Sequence, residues 1–264
     1  MRAFLVLVRA GFTRYAAYRT ASVAGALTNT VFGVVKASIT IAAIAAAGGA
    51  IAGYDAQQGA TYSWLCQSLV ATVGLFGWRE LADRIRTGDI AVDLARPLDL
   101  QLSGLASDLG RGAYMLLPRG LPPLLVGFAF FGVALPREPL PYLLAALSIP
   151  MAVAISYACR FAVNLTAFWL MDVRGTLTLY VVASNVLSGL IVPVAWFPGW
   201  MSTIAHATPF PSMLQVPVDV LSGRVHGWAA VELLVVQAAW LAATLLLGRV
   251  VLARATRKLV VQGG

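Results

Sequence analysis

The stretch WAAVELLVVQAAWLAATLLLGRV, residues 228–250, is apolar over almost its whole length and carries only one acidic and one basic residue. A helix needs about 20 predominantly apolar residues to cross the roughly 30 Å hydrocarbon core of a bilayer. The stretch therefore predicts a membrane-spanning helix in the last part of the chain.

Five more apolar runs of spanning length precede this one. Of the 264 residues, 59% are hydrophobic and 11% are charged, and the mean hydropathy is +0.81. Soluble domains average about 25% charged residues, so the composition argues against a soluble enzyme. We expect an all-α membrane protein with six transmembrane helices. These helices are predicted at residues 22–51, 62–78, 114–135, 142–171, 176–194 and 228–250.

The basic residues lie mainly on one side of these spans. If the N-terminus is inside, 15 of the 19 Lys and Arg residues fall in inner segments. This one-sided distribution accounts for the excess of basic residues, and hence for the net charge of +8, without a nucleic-acid partner. The positive-inside rule then predicts a multi-pass protein of the cytoplasmic membrane with both termini in the cytoplasm. The inner residues are Arg2, Arg9, Arg14, Arg19, Arg79, Arg84, Arg86, Arg96, Arg111, Arg119, Arg174, Arg249, Arg254, Arg257 and Lys258.

No repeat or linker divides the chain, so residues 1–264 are treated as a single membrane domain. Residues 1–21 form a basic lead-in, which we interpret as an amphipathic helix lying along the membrane surface. An ordinary basic lead-in that obeys the positive-inside rule is the alternative. Residues 79–112 form the longest cytoplasmic loop, and residues 249–264 form a basic cytoplasmic tail.

Motifs for nucleotide or metal chemistry are absent from the sequence. No glycine-rich loop ends in Gly-Lys-Ser/Thr, so any ATP must be bound by another chain. His206 and His226 lack the spacing of a metal pair, and Cys66 and Cys159 fall inside apolar runs. We assign no catalytic residue and no metal site. One pair of residues keeps a metal site open as an alternative. Asp89 and Asp93 are four residues apart, a spacing that carboxylates binding a metal in a membrane lipid enzyme can have.

The long inner loop contains the motif GDIAVDLARPLD, residues 88–99. We expect a helix in which Glu80 pairs with Arg84, a break at Gly88, a short second helix and a stop at Pro97. Such an element is suited to docking on a cytoplasmic partner, whereas the plain alternative is a solvated loop. The docking side chains would be Ile90, Val92 and Leu94, with Asp89, Asp93 and Arg96 fixing the orientation.

The outer segment, residues 195–227, has a different character. It contains four prolines, Pro198, Pro209, Pro211 and Pro217, and few charges. This composition predicts short broken helices that dip into the outer interface, and we expect all four prolines to set the breaks. A hydrophobic lid over the outer ends of the bundle is the alternative.

Taken together, these features resemble the permease (transmembrane) subunit of type 2 ATP-binding-cassette (ABC) exporters. The resemblance covers nearly the whole chain. It rests on the basic lead-in, the six spans, the inner motif at residues 88–99 and the outer motif ATPFPSMLQVPVDVLSG, residues 207–223. Each motif alone is weak, but their order and spacing are specific.

The resemblance implies that residues 88–97 form a coupling helix that inserts into an ATPase subunit. It also implies an outer gate built from re-entrant helices, with Pro209, Phe210 and Pro217 as candidate gate residues. By the same resemblance, two ABC ATP-binding subunits would bind ATP and Mg, and this chain would bind no cofactor. A second permease chain, identical or homologous, would complete the complex in the lipid membrane. The candidate coupling residues are Gly88, Asp89, Ile90, Asp93, Leu94, Arg96 and Pro97.

Polar residues inside the spans are candidates for the translocation path or the dimer interface. Ser156, Arg160 and Asn164 share one face of the fourth span. An arginine costs about 2.5–3.5 kcal/mol at the centre of a membrane helix, so Arg160 should face protein or water. We expect no acidic residue at its depth, and we expect Lys36 to snorkel toward the inner surface. A helix–helix role and a substrate-path role both remain open for Arg160.

The sequence thus predicts the permease subunit of an ATP-driven exporter, without enzymatic activity of its own. Its substrate would be hydrophobic or amphipathic, such as a drug, a natural product or a lipid. The alternative is a polytopic membrane enzyme that acts on lipid through Asp89 and Asp93, and a third hypothesis is a purely structural membrane subunit.

Overall fold

The computed structural model describes residues 2–76, 78–170 and 172–258, and the regular elements among them are all helical. This confirms the predicted all-α class. The helices are α1 (Arg2–Ala16), α2 (Arg19–Ala46), α3 (Ala56–Val73), α4 (Glu80–Thr87), α5 (Ile90–Ala95), α6 (Leu100–Met115), α7 (Leu121–Phe130), α8 (Leu140–Leu165), α9 (Arg174–Leu187), α10 (Gly199–His206), α11 (Gln215–Leu221) and α12 (Trp228–Ala255).

Four helical segments in the described part of the chain are long and apolar enough to cross a membrane: Arg19–Ala46, Leu100–Phe130, Leu140–Phe168 and Trp228–Ala255. They match the first, third, fourth and sixth predicted spans. Helices α3 and α9 occupy the positions of the other two, but α3 carries many polar residues and α9 has only 14 residues. At 1.5 Å per residue α9 is about 21 Å long, shorter than the hydrocarbon core. The count of six spans therefore stays a prediction.

The helix at the third predicted span begins much earlier than expected. The Asp99 side chain accepts a hydrogen bond from the backbone N–H of Leu102 at 2.7 Å and caps α6. A π-helical turn, Leu116–Gly120, then joins α6 to α7 without interrupting the segment. The prediction placed the start of this span at residue 114 because Ser, Asp and Arg residues made the preceding stretch resemble a loop. Residues 100–112 are instead helical.

Helix α3 lies at the centre of the molecule, since 14 of its 18 residues are buried. It begins with a reciprocal cap, in which Asp55 accepts from the backbone N–H of Gln58 at 2.8 Å and Gln58 accepts from that of Asp55 at 3.2 Å. It ends at Gly74, whose positive φ of 73° suits glycine. Helices α2 and α12 lie outside it and expose apolar side chains such as Phe32 and Leu246, as expected for surfaces that face lipid.

The lead-in is helical as α1 and packs closely against α6. A Cβ atom added at Gly110 would overlap the carbonyl oxygen of Val8, and one added at Gly11 would overlap that of Ser107. Glycine at both positions therefore allows the two backbones to approach. The helical state of the lead-in is confirmed, and its location along the membrane surface stays a prediction.

The outer segment folds into α10, a 3₁₀ turn (Pro211–Met213) and α11. Pro198 precedes α10 and Pro211 begins the 3₁₀ turn, as expected for breaks. Pro217 is different, because it lies in the first turn of α11, where a missing N–H removes no helical hydrogen bond. The expectation that Pro217 breaks a helix is thus wrong, and re-entry into the membrane remains untested.

The predicted basic tail begins inside α12, which continues to Ala255. Arg249 pairs there with Asp99 at the start of α6. Residues 259–264 of the predicted tail lie outside the described residues.

Candidate coupling site

The candidate coupling residues lie on a compact unit made of α4, Gly88, Asp89, α5 and the residues up to Pro97, which we call the inner element. Gly88 ends α4 with a positive φ of 85°, and Arg96 takes an extended conformation before Pro97. The predicted order of helix, break, short helix and stop is confirmed.

The three apolar side chains expected to dock on a partner point in different directions. Ile90 is buried, with an exposed fraction of 1%, in a cluster with Leu81 and Phe161. Leu94 is partly buried against the same cluster. Val92 is 57% exposed. Of the three, Val92 therefore offers the apolar surface, whereas Ile90 anchors the inner element to the bundle.

Asp93 holds the two short helices together. Its carboxylate accepts a hydrogen bond from Nε of Arg84 at 2.6 Å and lies 3.6 Å from Nη1 of Arg96. The predicted pair of Glu80 with Arg84 is wrong, because α5 folds back on α4 and brings Asp93 to Arg84. Glu80 instead lies 3.3 Å from Nη2 of Arg14 on α1.

The other candidates of the inner element lie at its surface. Gly88, Asp89 and Pro97 are exposed. Asp89 accepts a hydrogen bond from the hydroxyl of Thr87 at 2.7 Å. Because two arginines already occupy the carboxylate of Asp93, this geometry does not favour a metal shared between Asp89 and Asp93.

A buried ion cluster lies behind the inner element, where α3, α6 and α8 meet. Nη2 of Arg160 lies 2.7 Å from Oδ2 of Asp108, and Nε of Arg111 lies 2.6 Å from Oδ1 of the same carboxylate. Arg111 also donates to the carbonyls of Ala71 at 2.7 Å and Thr72 at 3.1 Å, at the C-terminal end of α3. One aspartate and the helix-end carbonyls thus neutralise two arginines.

The expectation that Arg160 has no acidic residue at its depth is wrong. Asp108 was assigned to the inner loop, but the early start of α6 places it on a helix beside α8. The polar residues that made this stretch look like a loop are the ones that pair with one another in the bundle.

Ser156 and Asn164 extend the cluster along α8. Ser156 donates to the carbonyl of Gly74 at 3.2 Å. Asn164 accepts from the backbone N–H of Ala82 at 3.0 Å and donates to the carbonyl of Trp78 at 2.7 Å. Together with the ion cluster these two residues form the inner polar network. The sequence correctly placed Ser156, Arg160 and Asn164 on one face, and all three make their contacts within this chain.

The inner polar network therefore connects the inner element to the bundle. Asn164 holds the start of α4 against α8, and a cavity of about 350 Å³ lies between α1, the inner element, α6 and α8. Both Asp93 and Asp108 line this cavity. The arrangement is suited to transmitting a movement of α4 and α5 to α3, α6 and α8.

At the opposite end of the molecule, Phe210 and Pro217 lie near a second network that sequence reasoning missed, and Pro209 lies partly buried in the bend after α10. Phe210 is partly buried beside Tyr180, with ring centres 6.1 Å apart, and Pro217 is buried in α11. Gln215 accepts from the Tyr62 hydroxyl at 2.6 Å and donates to Asp219 at 2.7 Å. The spacing of Gln215 and Asp219, four residues apart in an apolar stretch, was the signal available in the sequence.

Asp219 is the titratable member of this outer polar network. It is only 8% exposed, and burial raises the pKa of its carboxyl to about 6, although Gln215, Arg224 and Tyr54 favour the charged form. Nε of Arg224 lies 3.9 Å from its Oδ1, and the Arg224 guanidinium stacks 3.7 Å above the Tyr54 ring. The outer polar network thus joins the α2–α3 connection, α3 and α11.

Comparison with protein families gives a match to the family described as ABC-2 family transporter protein, over residues 33–263. The chain belongs to this family. Comparison with curated proteins found no significant match. Membership confirms the resemblance and identifies a multi-pass transport protein of the membrane, a permease subunit that associates with ABC ATP-binding subunits.

Proposed function

We propose that the chain is the permease of an ATP-driven exporter and that the inner element receives the movement of the ATPase subunit. The observation that supports this proposal most strongly is the inner polar network. Within this network Asn164 joins α4 to α8, and Asp108 joins α6 to α8. The pair of Arg84 with Asp93 joins α4 to α5 and so connects both short helices to the network. A push on α5 would therefore move several helices rather than one loop.

The mechanism is alternating access. Two ATPase subunits, which bind ATP and Mg, close on ATP binding and push on the surface around Val92 and Arg96. The buried ion cluster moves as a unit, because separating Asp108 from its arginines would leave uncompensated charge in the bundle. Helices α3, α6 and α8 then tilt, and the outer segment opens.

The complex contains two permease chains, identical or homologous, in the cytoplasmic membrane. Both termini lie in the cytoplasm, since the basic residues concentrate on that side. The cargo is hydrophobic or amphipathic and moves outward.

The test is purification of the tagged chain from native membranes in mild detergent, followed by assay of ATP turnover. We expect a stoichiometric partner with a P-loop. Asp93→Asn should keep the complex assembled but lower the permease-dependent part of ATP turnover several-fold, because Arg84 and Arg96 lose their shared anion.

Asp172→Asn is the matched control. Asp172 is also acidic, but it is exposed and its side chain pairs only with neighbouring Arg174 among the described residues. Its turnover should equal that of the native complex. Recovery of the chain without an ATPase, or equal turnover of both variants, would contradict the proposed function.

A further inference from the structure

A groove of about 870 Å³ runs along one face of α2. Its opposite wall is formed by Arg119, parts of α3 and the chain that follows α9. On α2 its lining extends from Ala21 to Ala43, which is about 33 Å of helix and equals the thickness of the hydrocarbon core. Apolar side chains such as Phe32, Val35 and Ile39 make up most of the lining.

The charge of this groove is not balanced. Its lining contains two cations, Lys36 and Arg119, and no acidic side chain among the described residues. The Lys36 ammonium is buried, has no acidic partner in the described part of the chain, and lies beside the Cys66 thiol and 5.1 Å from the centre of the Tyr62 ring. The expectation that Lys36 snorkels to the inner surface is therefore wrong, since its amine turns toward α3.

We propose that the groove binds an amphipathic molecule with one anionic group, a carboxylate or a phosphate, and that Lys36 pairs with that group. This inference rests on the proposed function and specifies the cargo. A cation without a counter-ion is costly inside a membrane, and an anionic ligand supplies the counter-ion. The flexible lysine stem lets the amine turn from the Tyr62 ring into the groove, while the hydrocarbon chain lies along Val35 and Ile39.

Arg119 provides a second position for the anion. Its guanidinium lies against Gly25 and donates to the carbonyl of Ala21 at 2.9 Å, while its Nε has no partner among the described residues. Gly25 and Lys36 are eleven residues apart on α2, a distance of about 16 Å. The anionic group meets Arg119 first and Lys36 deeper in the membrane.

A second copy of this face would not supply the missing anion. It would bring another Lys36 and Arg119 and would add like charge to the groove. Charge complementarity therefore favours a small anionic amphiphile as the occupant.

The experiment uses the permease–ATPase complex in phosphatidylcholine nanodiscs and two fluorescent probes, 11-(dansylamino)undecanoic acid and its uncharged methyl ester. The native complex should bind the acid roughly ten-fold more tightly than the ester, a difference of about 1.4 kcal/mol. Lys36→Met should lower this preference several-fold, because only Arg119 then remains to pair with the anion, and Lys36→Arg should retain it in full. Lys258→Met, which changes the other lysine of the chain, should leave it unchanged.

Equal binding of acid and ester by the native complex, or an undiminished preference in Lys36→Met, would overturn the proposal. Thermal unfolding checks the fold of the variant. Lys36→Met should unfold no earlier than the native protein, and the acid should raise the unfolding midpoint of Lys36→Met less than that of the native protein. Loss of the acid preference in nanodiscs that contain phosphatidylglycerol would show that the phosphate of a membrane lipid occupies the groove, which supports the site and identifies lipid as its ligand.

ATP turnover of the same samples separates this inference from the proposed function. A preference for the acid without permease-dependent turnover would support the groove site and contradict the exporter. Permease-dependent turnover without the preference would support the exporter and contradict the groove site.

Discussion

At the scale of single residues, Asp108 has the greatest structural consequence. It accepts hydrogen bonds from two arginines, and Arg160 is only 3% exposed. Removing one member of a buried ion pair typically costs about 3–5 kcal/mol, because the remaining charge stays buried without compensation.

Asp108→Asn should therefore lower the free energy of unfolding by about 3 kcal/mol or more. Adding Arg160→Met to this variant should cost little further, since it removes one of the two arginines left without an anion. The other, Arg111, keeps its hydrogen bonds to the carbonyls of Ala71 and Thr72. Denaturant unfolding followed by tryptophan fluorescence measures both effects. Additive losses in the double variant would show that the pair is not coupled.

The raised pKa of Asp219 predicts that the stability of the protein depends on pH. The folded protein protonates this carboxyl at about pH 6, whereas an unfolded aspartate does so near about pH 3.9. Between these values the folded state binds more protons, so stability falls as the pH rises, by about 3 kcal/mol for this group. In Asp219→Asn the difference between the unfolding midpoints at pH 4.5 and pH 7 should shrink. An unchanged difference would contradict this role.

At the scale of elements, the crossing of α1 and α6 depends on two glycines. Gly110→Ala should displace α1 and lower the unfolding midpoint, because the added Cβ meets the backbone of Val8. Gly175→Ala in α9 is the matched control. No atom of the described residues lies within 4 Å of its added Cβ, so helix propensity alone should stabilise the protein by up to about 1 kcal/mol. Equal midpoints for the two variants would show that the close approach does not matter.

Long apolar elements could be predicted from the sequence, and mixed elements could not. Helices α2, α8 and α12 follow directly from runs of spanning length, and the break at Gly88 follows from glycine. The start of α6 was missed because its polar residues find partners on α3, α8 and α12, which are distant in sequence. For the same reason Arg84 was paired with its neighbour Glu80 rather than with Asp93.

The candidate site, like the fold, could be predicted from the sequence only in part. Helical spacing placed Ser156, Arg160 and Asn164 on one face, but spacing along α8 contains no information about Asp108 on α6. The outward direction of Val92 and the inward direction of Ile90 depend on how α5 packs, which a six-residue helix does not determine alone.

At the scale of the whole molecule, α3 connects the two polar networks. Tyr62 contacts the outer network, and Gly74 contacts the inner one through Ser156. The two residues are about 18 Å apart along a buried helix. A tilt of α3 at its inner end would therefore reach the outer segment.

Tyr62→Phe should loosen the outer end, because it removes the hydroxyl that bonds Gln215 and the carbonyl of Gly189. Cys66, one turn along α3, is buried in the native protein. A membrane-impermeant maleimide added from outside should label Cys66 several-fold faster in the variant than in the native chain, and Cys66→Ala reports the background. Unchanged labelling would mean that the hydroxyl does not hold the outer end closed.

The central claim is that the inner element meets an ATPase, and photo-crosslinking from Val92 tests it most directly. A benzophenone amino acid at Val92 should crosslink to a chain with a P-loop in native membranes. The benzophenone amino acid placed instead at Ile204 should not crosslink to that chain. Ile204 is an exposed apolar position on α10 in the outer segment. Crosslinking to that chain from Val92 alone is the result we predict. No crosslink from Val92, or an equal crosslink from Ile204, would contradict the account.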